Sequence, residues 1–208
     1  RNYQDDISLH YYLLASKDGI TIGKRYFKHE NNKEDYPFSP SGHNLYDNNS
    51  KLYYCRDFDN IVYQIHEDSV VPRFRINLPN PLPASMIEER PNEMSLLRSG
   101  YSLGITDIYE YGGLLFFRFV KDGYIWSCLY NVEESKQVYC AKRIKFLDSS
   151  LIDTIDGIYK DCFYSILTPE YLDYAFSENP LEDYPDLFKT YDVEGDNPVI
   201  AFYRAVVR

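Results

Sequence analysis

No stretch of this chain is long and apolar enough to be a membrane-spanning helix. Such a helix takes about 18 consecutive apolar residues, and even the dense run Leu114–Val120 is broken by Arg118. Basic residues are in the minority. Lys and Arg number 22 against 32 Asp and Glu, for a net charge of −10. That balance excludes a protein built to coat nucleic acid, because phosphate contact needs clustered cations. The P-loop, GxGxxG and GxSxG patterns are all missing, and Gly112-Gly113 reads as a turn. The four histidines, His10, His29, His43 and His66, form neither HxH nor HExxH.

Cysteine is scarce: Cys55, Cys128, Cys140 and Cys162, with no CxxC pair and no histidine at ligand spacing. A zinc site is therefore disfavoured. Cys55, Cys128 and Cys140 each lie within an apolar strand pattern, which suits small buried hydrophobes. A cross-strand Cys128–Cys140 bond is compatible with the spacing, and nothing in the sequence requires it. The chain begins at Arg1, which reads as a trimmed start, so the lack of a signal peptide carries no information.

What the chain has is tyrosine, 22 residues against a single Trp, within a 17% aromatic content. Tyrosine joins an apolar ring to a polar tip and suits strand faces that are partly exposed. Residues 51–78 set the pattern. Leu52–Cys55, Ile61–Ile65 and Pro72–Leu78 read as strands because bulky and β-branched residues fit a pleated surface. Arg73, Arg75 and Asn77 alternate with Phe74, Ile76 and Leu78, a period of two. Asp57, Asp59, Asn60 and Asp68 suit the turns between them. Pro72 cannot donate a ladder bond and belongs at a strand start or an edge.

Residues 101–147 repeat the design with four strands, Ile105–Glu110, Leu114–Val120, Tyr124–Tyr130 and Gln137–Lys142, joined by short turns. The near-continuous apolar run Leu114–Val120 predicts a strand buried on both faces. Upstream, two runs, Ile7–Leu14 and Ile20–Phe27, flank Asp18-Gly19, a hairpin signal. Residues 28–50 read as a polar loop and residues 79–83 as a proline-rich connector. Short helices are expected near Ser85–Glu89 and Glu93–Arg98, and from Pro169 with Thr168 as its cap. Tyr159–Leu167 reads as one strand, Asp186–Tyr191 as a helical turn, and Val199–Val207 as a terminal strand.

These units have the size and strand count of propeller blades. The expected fold is one all-β, propeller-like domain over residues 1–208. Its four-stranded antiparallel meanders fall at roughly 7–50, 51–100, 101–147 and 157–208, with a few short helices in loops. By residue pattern alone a sandwich fits as well. The stretch LYYCRDFDNIVYQIHEDSVVPRFRINL (52–78) resembles the blade motif of the six-bladed β-propeller proteins typical of Bacteroidetes. The ending, Gly157-Ile158-Tyr159 to Phe163 and then Asp196–Tyr203, is similar to that family's ending, whereas Asn77-Leu78-Pro79 departs from its usual Asp-Phe-Gly. The resemblance covers roughly residues 45–208. It implies an extracytoplasmic, secreted or lipid-anchored protein with no assigned reaction, and it supplies no catalytic residue to carry over. The chain holds about three to four and a half blades of some 40 residues. It is therefore expected to be a C-terminal part or a short member, with association between copies as a consequence of open blade faces.

Each candidate chemistry has a plainer counterpart. His29 and His43 near Glu30, Glu34 and Asp35 suggest a metal site; solvated loop residues explain them more simply. Asp57, Asp59, Glu67 and Asp68 offer oxygen ligands for calcium but lack the glycine and closing glutamate of a calcium loop. Glu133-Glu134 and the Asp107/Glu110 pair suit glycoside chemistry only if they face each other across a sugar. Trp126 and exposed tyrosines suit a sugar platform, or strand packing. The expectation is thus no catalytic, cofactor or metal residue. The protein reads as a binding or scaffold module of the cell envelope for a small molecule, glycan or protein, with no nucleic acid partner. A glycan- or lactone-directed hydrolase or lyase and a purely structural domain are the alternatives.

Overall fold

The computed structural model of the chain describes residues 11–17, 22–28, 43–89, 91–142, 155–178, 190–192, 194–195 and 197–204. The described residues form antiparallel sheets in chain order. A hairpin, β1 (Tyr11–Ser16) and β2 (Ile22–Lys28), comes first. The first four-stranded sheet has the order β3 (Leu45–Asn48), β4 (Lys51–Cys55), β5 (Ile61–Ile65) and β6 (Val70–Arg75). The middle sheet runs β7 (Ser102–Tyr111), β8 (Leu114–Lys121), β9 (Tyr124–Asn131) and β10 (Lys136–Ala141). The third holds β11 (Gly157–Tyr159), β12 (Cys162–Leu167) and β13 (Val199–Tyr203). Helices α1 (Ala84–Glu88) and α2 (Glu93–Leu97) lie between the first and middle sheets in the chain, and α3 (Pro169–Glu178) joins β12 to β13.

The predicted helices form where capping chemistry allows. The Asn92 side chain accepts from Ser95 N at 2.9 Å to start α2, and Thr168 Oγ1 accepts from Tyr171 N at 3.3 Å at α3, satisfying backbone donors that have no partner inside the helix. Proline 72 sits in β6, the outermost strand of its sheet, beside a register shift between Val62 and Tyr63. A missing donor costs least there.

Three expectations are corrected. Residues 28–50 are not all loop: Leu45–Asn48 is a strand, paired from Leu45↔Tyr54 to Asn48↔Lys51. It takes the inner position of the sheet expected to begin at residue 51. Tyr159–Leu167 is not one strand. It folds back at Lys160, whose φ is +53°, so that Tyr159 pairs with Cys162. The strand expected over Pro72–Leu78 is displaced to Val70–Arg75. The turn at Asp18-Gly19, and most of Asp186–Tyr191, lie outside the described residues.

The inner strands of the middle sheet, β7 and β8, are covered on both faces, as the run Leu114–Val120 predicts for its strand. Strand pairing puts Ile108, Glu110, Leu115 and Phe117 on one face and Asp107, Tyr109, Phe116 and Arg118 on the other. The first face meets the first sheet through Asn48 Nδ2, which donates to Ile108 O at 3.3 Å, and through Tyr53 and Glu110. The second meets the third sheet, where Phe163 lies 6.5 Å from Phe116 and 6.4 Å from Tyr111, ring centroid to centroid. One continuous apolar core runs through all three sheets.

Gly104 is where two parts of the chain come closest. Its φ is +95°, and a Cβ there would lie 2.8 Å from Phe58 Cα. Only glycine meets both conditions without strain.

Candidate functional site: a cleft where the inner strands meet

β3, β7 and β11 are each the first strand of their sheet and lie at its edge. All three are in mutual contact. Sheets that radiate from a common line of first strands form a propeller's hub. Side chains bolt this hub together. Tyr46 is buried, and its hydroxyl lies against Thr106 O and, at 2.8 Å, His43 O. Asn48 Oδ1 accepts from Glu110 N at 2.6 Å. The Asn49 side chain donates to Lys160 O at 3.2 Å, tying the first sheet to the third.

Beside these bolts is a cleft of about 380 Å³ whose lining includes His43, Leu45, Asp47, Tyr109, Asp156 and Tyr164. β3 shapes its wall by alternation: Tyr46 and Asn48 are buried, while Leu45 and Asp47 point away from the middle sheet and are exposed. Gly157 shapes the opposite side. A Cβ there would come 2.7 Å from the Tyr164 ring, so any larger residue turns Tyr164 aside.

The groups in the cleft suit hydrogen bonding better than bond breaking. Tyr109 donates to Asp156 O at 3.0 Å. Burial, then the nearby charges of Asp107 and Asp156, push its phenol well above the ordinary value. It stays protonated and serves as a donor, not a base. The Asp156 carboxylate accepts from Ile166 N at 2.7 Å. The lining thus presents phenol rings and hydroxyls, a carboxylate on each side and an imidazole.

The residues weighed from sequence are distributed as follows. His43 reaches the cleft, its ring 4.8 Å from that of Tyr46. His10, His29, Glu30, Glu34 and Asp35 lie outside the described residues. His66, Glu67 and Asp68 are exposed, and Asp68 pairs with Lys24 at 2.7 Å. Asp59 is a turn-former: its Oδ1 accepts from Asn60 N and Ile61 N, and its Oδ2 pairs with Arg56 at 2.6 Å. Asp57 sits in the same turn. Among the described residues no three His, Cys, Asp or Glu side chains gather as a metal site would require. Asp107 and Glu110 lie on opposite faces of β7 and cannot flank one sugar. Asp107 is buried against Arg118 at 2.7 Å. Glu110 is held by Lys51 at 3.0 Å, Arg73 at 3.1 Å and the Tyr53 hydroxyl. Burial pushes its pKa upward, but those three hydrogen bonds outweigh it and hold the carboxyl below its ordinary value. Glu133 and Glu134 belong to a turn in which both backbone N–H groups donate to Asn131 Oδ1. Trp126 packs on Phe119 at 6.2 Å, with Lys142 Nζ 5.8 Å from its ring.

Cys128 and Cys140 are register partners and are joined by a disulfide. Cys55 is a free buried thiol, as its strand pattern suggested, and Cys162 is free and half-buried.

A family model described as a 6-bladed beta-propeller matches residues 1–150. The chain is also similar to a solved structure from Bacteroides fragilis NCTC 9343, described as an exported protein. The two are 15% identical with a TM-score of 0.69, and the match covers 96% of this chain and 59% of the other. That likeness concerns the fold. No curated protein matches the chain.

Proposed function

We propose, from the premise that the chain belongs to the six-bladed β-propeller family, that it is a non-catalytic binding module whose ligand sits in the inner-strand cleft. The observation that carries this reading is the cleft's lining. Tyr164 offers a ring and a hydroxyl, and Asp47 and Asp156 supply acceptors, over a floor that includes the buried Tyr109. The exposed lining is mainly polar with an aromatic ring beside it, which favours a ligand rich in hydroxyls over an apolar one. A glycan or another polyhydroxylated small molecule suits it, since its hydroxyls can donate to carboxylates while its ring stacks on tyrosine.

The alternative of a glycan hydrolase or lyase has less support. Asp107 and Glu110 are engaged in ion pairs between strands and sheets, and Tyr109 is held in its protonated form by burial. A cell-envelope location is supported by two observations: the solved structure with the same fold is described as exported, and the Cys128–Cys140 disulfide is of a kind that persists in oxidising compartments. Attachment through a lipid belongs to the same proposal as its finer part.

The test is a glycan array followed by calorimetric titration of the wild-type protein, Asp47→Ala and Tyr164→Ala. Binding by the wild type that weakens at least about tenfold, or 1.4 kcal/mol, in both variants is expected. Binding unaffected by either variant places the ligand elsewhere. Release of new reducing ends or unsaturated products from any bound glycan overturns the non-catalytic reading.

A further inference from the structure

The aromatic residues of β9 that the cleft leaves unused stand at one corner of the middle sheet. Register puts Phe119 and Lys121 of β8 opposite Trp126 and Tyr124 of β9, so all four side chains share one face. It is the face that carries Phe117 and adjoins the first sheet. Phe119 is buried and stacks on Trp126, the rings 6.2 Å apart and 12° from parallel. Trp126 is thereby held in place, and Tyr124, two residues nearer the end of the sheet, is 55% exposed. Lys142 follows β10 and is exposed. Its Nζ lies 3.6 Å from the centre of the Tyr124 ring and 5.8 Å from that of Trp126. The charge at this corner runs against that of the chain, which has 32 acids to 22 bases. Lys121 is paired with Asp122 at 3.6 Å. Lys142 forms no ion pair with a described residue, and its ammonium rests on ring faces instead, a contact worth about 0.5–1 kcal/mol at an exposed site. Trp126 Nε1 is buried and has no hydrogen-bond acceptor among the described residues, an uncommon state for a buried donor.

We propose that this corner is a second binding site, for a sugar unit that carries a carboxylate. Both unspent polar groups, an ammonium and an indole N–H, are donors, so the ligand group that completes them is an acceptor, and beside Lys142 an anionic one. The exposed Tyr124 ring supplies a flat surface for the C–H face of the sugar, which a small inorganic anion would leave unused. One spare positive charge in a chain of net charge −10 repels a nucleic acid or a polyphosphate, whereas one carboxylate on one sugar meets one cation. The platform is rigid: β9 is paired with β8 on one side and β10 on the other, and strands hold a site more precisely than loops. The corner sits on the outer strands and shares no residue with the inner-strand cleft. Each can be occupied without the other.

Trp126 is the chain's only tryptophan, so its fluorescence reports on this corner alone. The experiment titrates the 208-residue chain with a tetrasaccharide of alternating glucuronic acid and N-acetylglucosamine, and with the methyl ester of the same tetrasaccharide, following both Trp emission and heat. The acid should change the emission saturably. The ester keeps the rings and loses the charge, and should bind at least about fivefold more weakly. Lys142→Gln and Tyr124→Ala should each weaken binding of the acid by about the same factor, while Asp47→Ala, in the cleft, leaves it unchanged. The comparison of acid with ester needs only the wild type and decides the matter if a variant fails to fold. Equal binding of acid and ester overturns the inference, as does an acid that gives neither heat nor a change in emission. Wild-type affinity in Lys142→Gln with a loss in Asp47→Ala also overturns it, because the acid would then sit in the cleft.

Discussion

The middle and third sheets are built from the same materials and meet opposite fates. Both alternate aromatic with aliphatic residues on antiparallel strands. In β8, Leu114–Phe117 are buried whichever face they occupy, because a sheet lies on each side. In β13, Ile200 and Phe202 are exposed while Val199, Ala201 and Tyr203, which alternate with them, are partly buried. What differs is the neighbour, not the strand. A propeller sheet with aromatic residues on both faces is made to be sandwiched, and the third sheet keeps that composition where no described residue covers it.

The sharpest way to break this contrast is to truncate one phenylalanine in each sheet. Phe116→Ala removes a ring held between Tyr109 and Phe163 and should cost about 3–5 kcal/mol in urea unfolding. Phe202→Ala, measured where the chain is monomeric, should cost under about 1 kcal/mol. Equal losses would mean the two sheets are equally covered.

Next in size is the cross-link, which only the middle sheet has. Cys128 and Cys140 are 12 residues apart, and opening a loop of that size should cost about 2–3 kcal/mol. Thiol labelling of the unfolded, unreduced protein should find Cys55 and Cys162 but neither Cys128 nor Cys140. A reductant should lower the midpoint of unfolding. Four titratable thiols without reductant would remove the bond from the account.

A smaller effect separates the two joints of the middle sheet. Its joint with the first sheet is polar, through Glu110, Lys51, Arg73 and Tyr53; its joint with the third is largely aromatic. Glu110→Gln should cost about 1–2 kcal/mol, below the 3–5 of a fully buried pair because Lys51 and Arg73 are partly exposed. The sign with pH follows from the lowered carboxyl pKa. Protonation favours the unfolded chain, so this contribution is complete above the ordinary carboxylate value of 4.5 and is lost as pH falls through the lower folded value. The wild type should lose more stability than Glu110→Gln on acidification below that value. Parallel curves would show that Glu110 does not couple the sheets.

The same contrast explains what the sequence could and could not reveal. Ile61–Ile65 and the four strands of the middle sheet are legible because side chains of strong β preference recur between Asp, Asn and Gly turns. Leu45–Asn48 is not. It is four residues long, half polar, and follows a loop-like stretch, and it becomes a strand only by pairing with β4 and lodging Tyr46 and Asn48 against β7. The turn at Lys160-Asp161 is hidden because it lacks Gly, Pro and Asn; Lys160 takes a positive φ that its sequence does not advertise. The cleft was legible only in part. His43 drew attention as a metal ligand and lies in the lining instead, whereas Asp47, Tyr109, Asp156 and Tyr164 come from three different sheets. Their only local signals are the glycine at 157, which leaves room for a ring, and the excess of tyrosine.

Amide hydrogen exchange of the monomeric chain tests the central claim most directly, that a sheet covered on both faces and a sheet covered on one differ in stability. The β8 amides should exchange only at the rate set by global unfolding, and those of β13 faster, by local opening. Protection of β13 equal to that of β8 in the monomer would contradict the account.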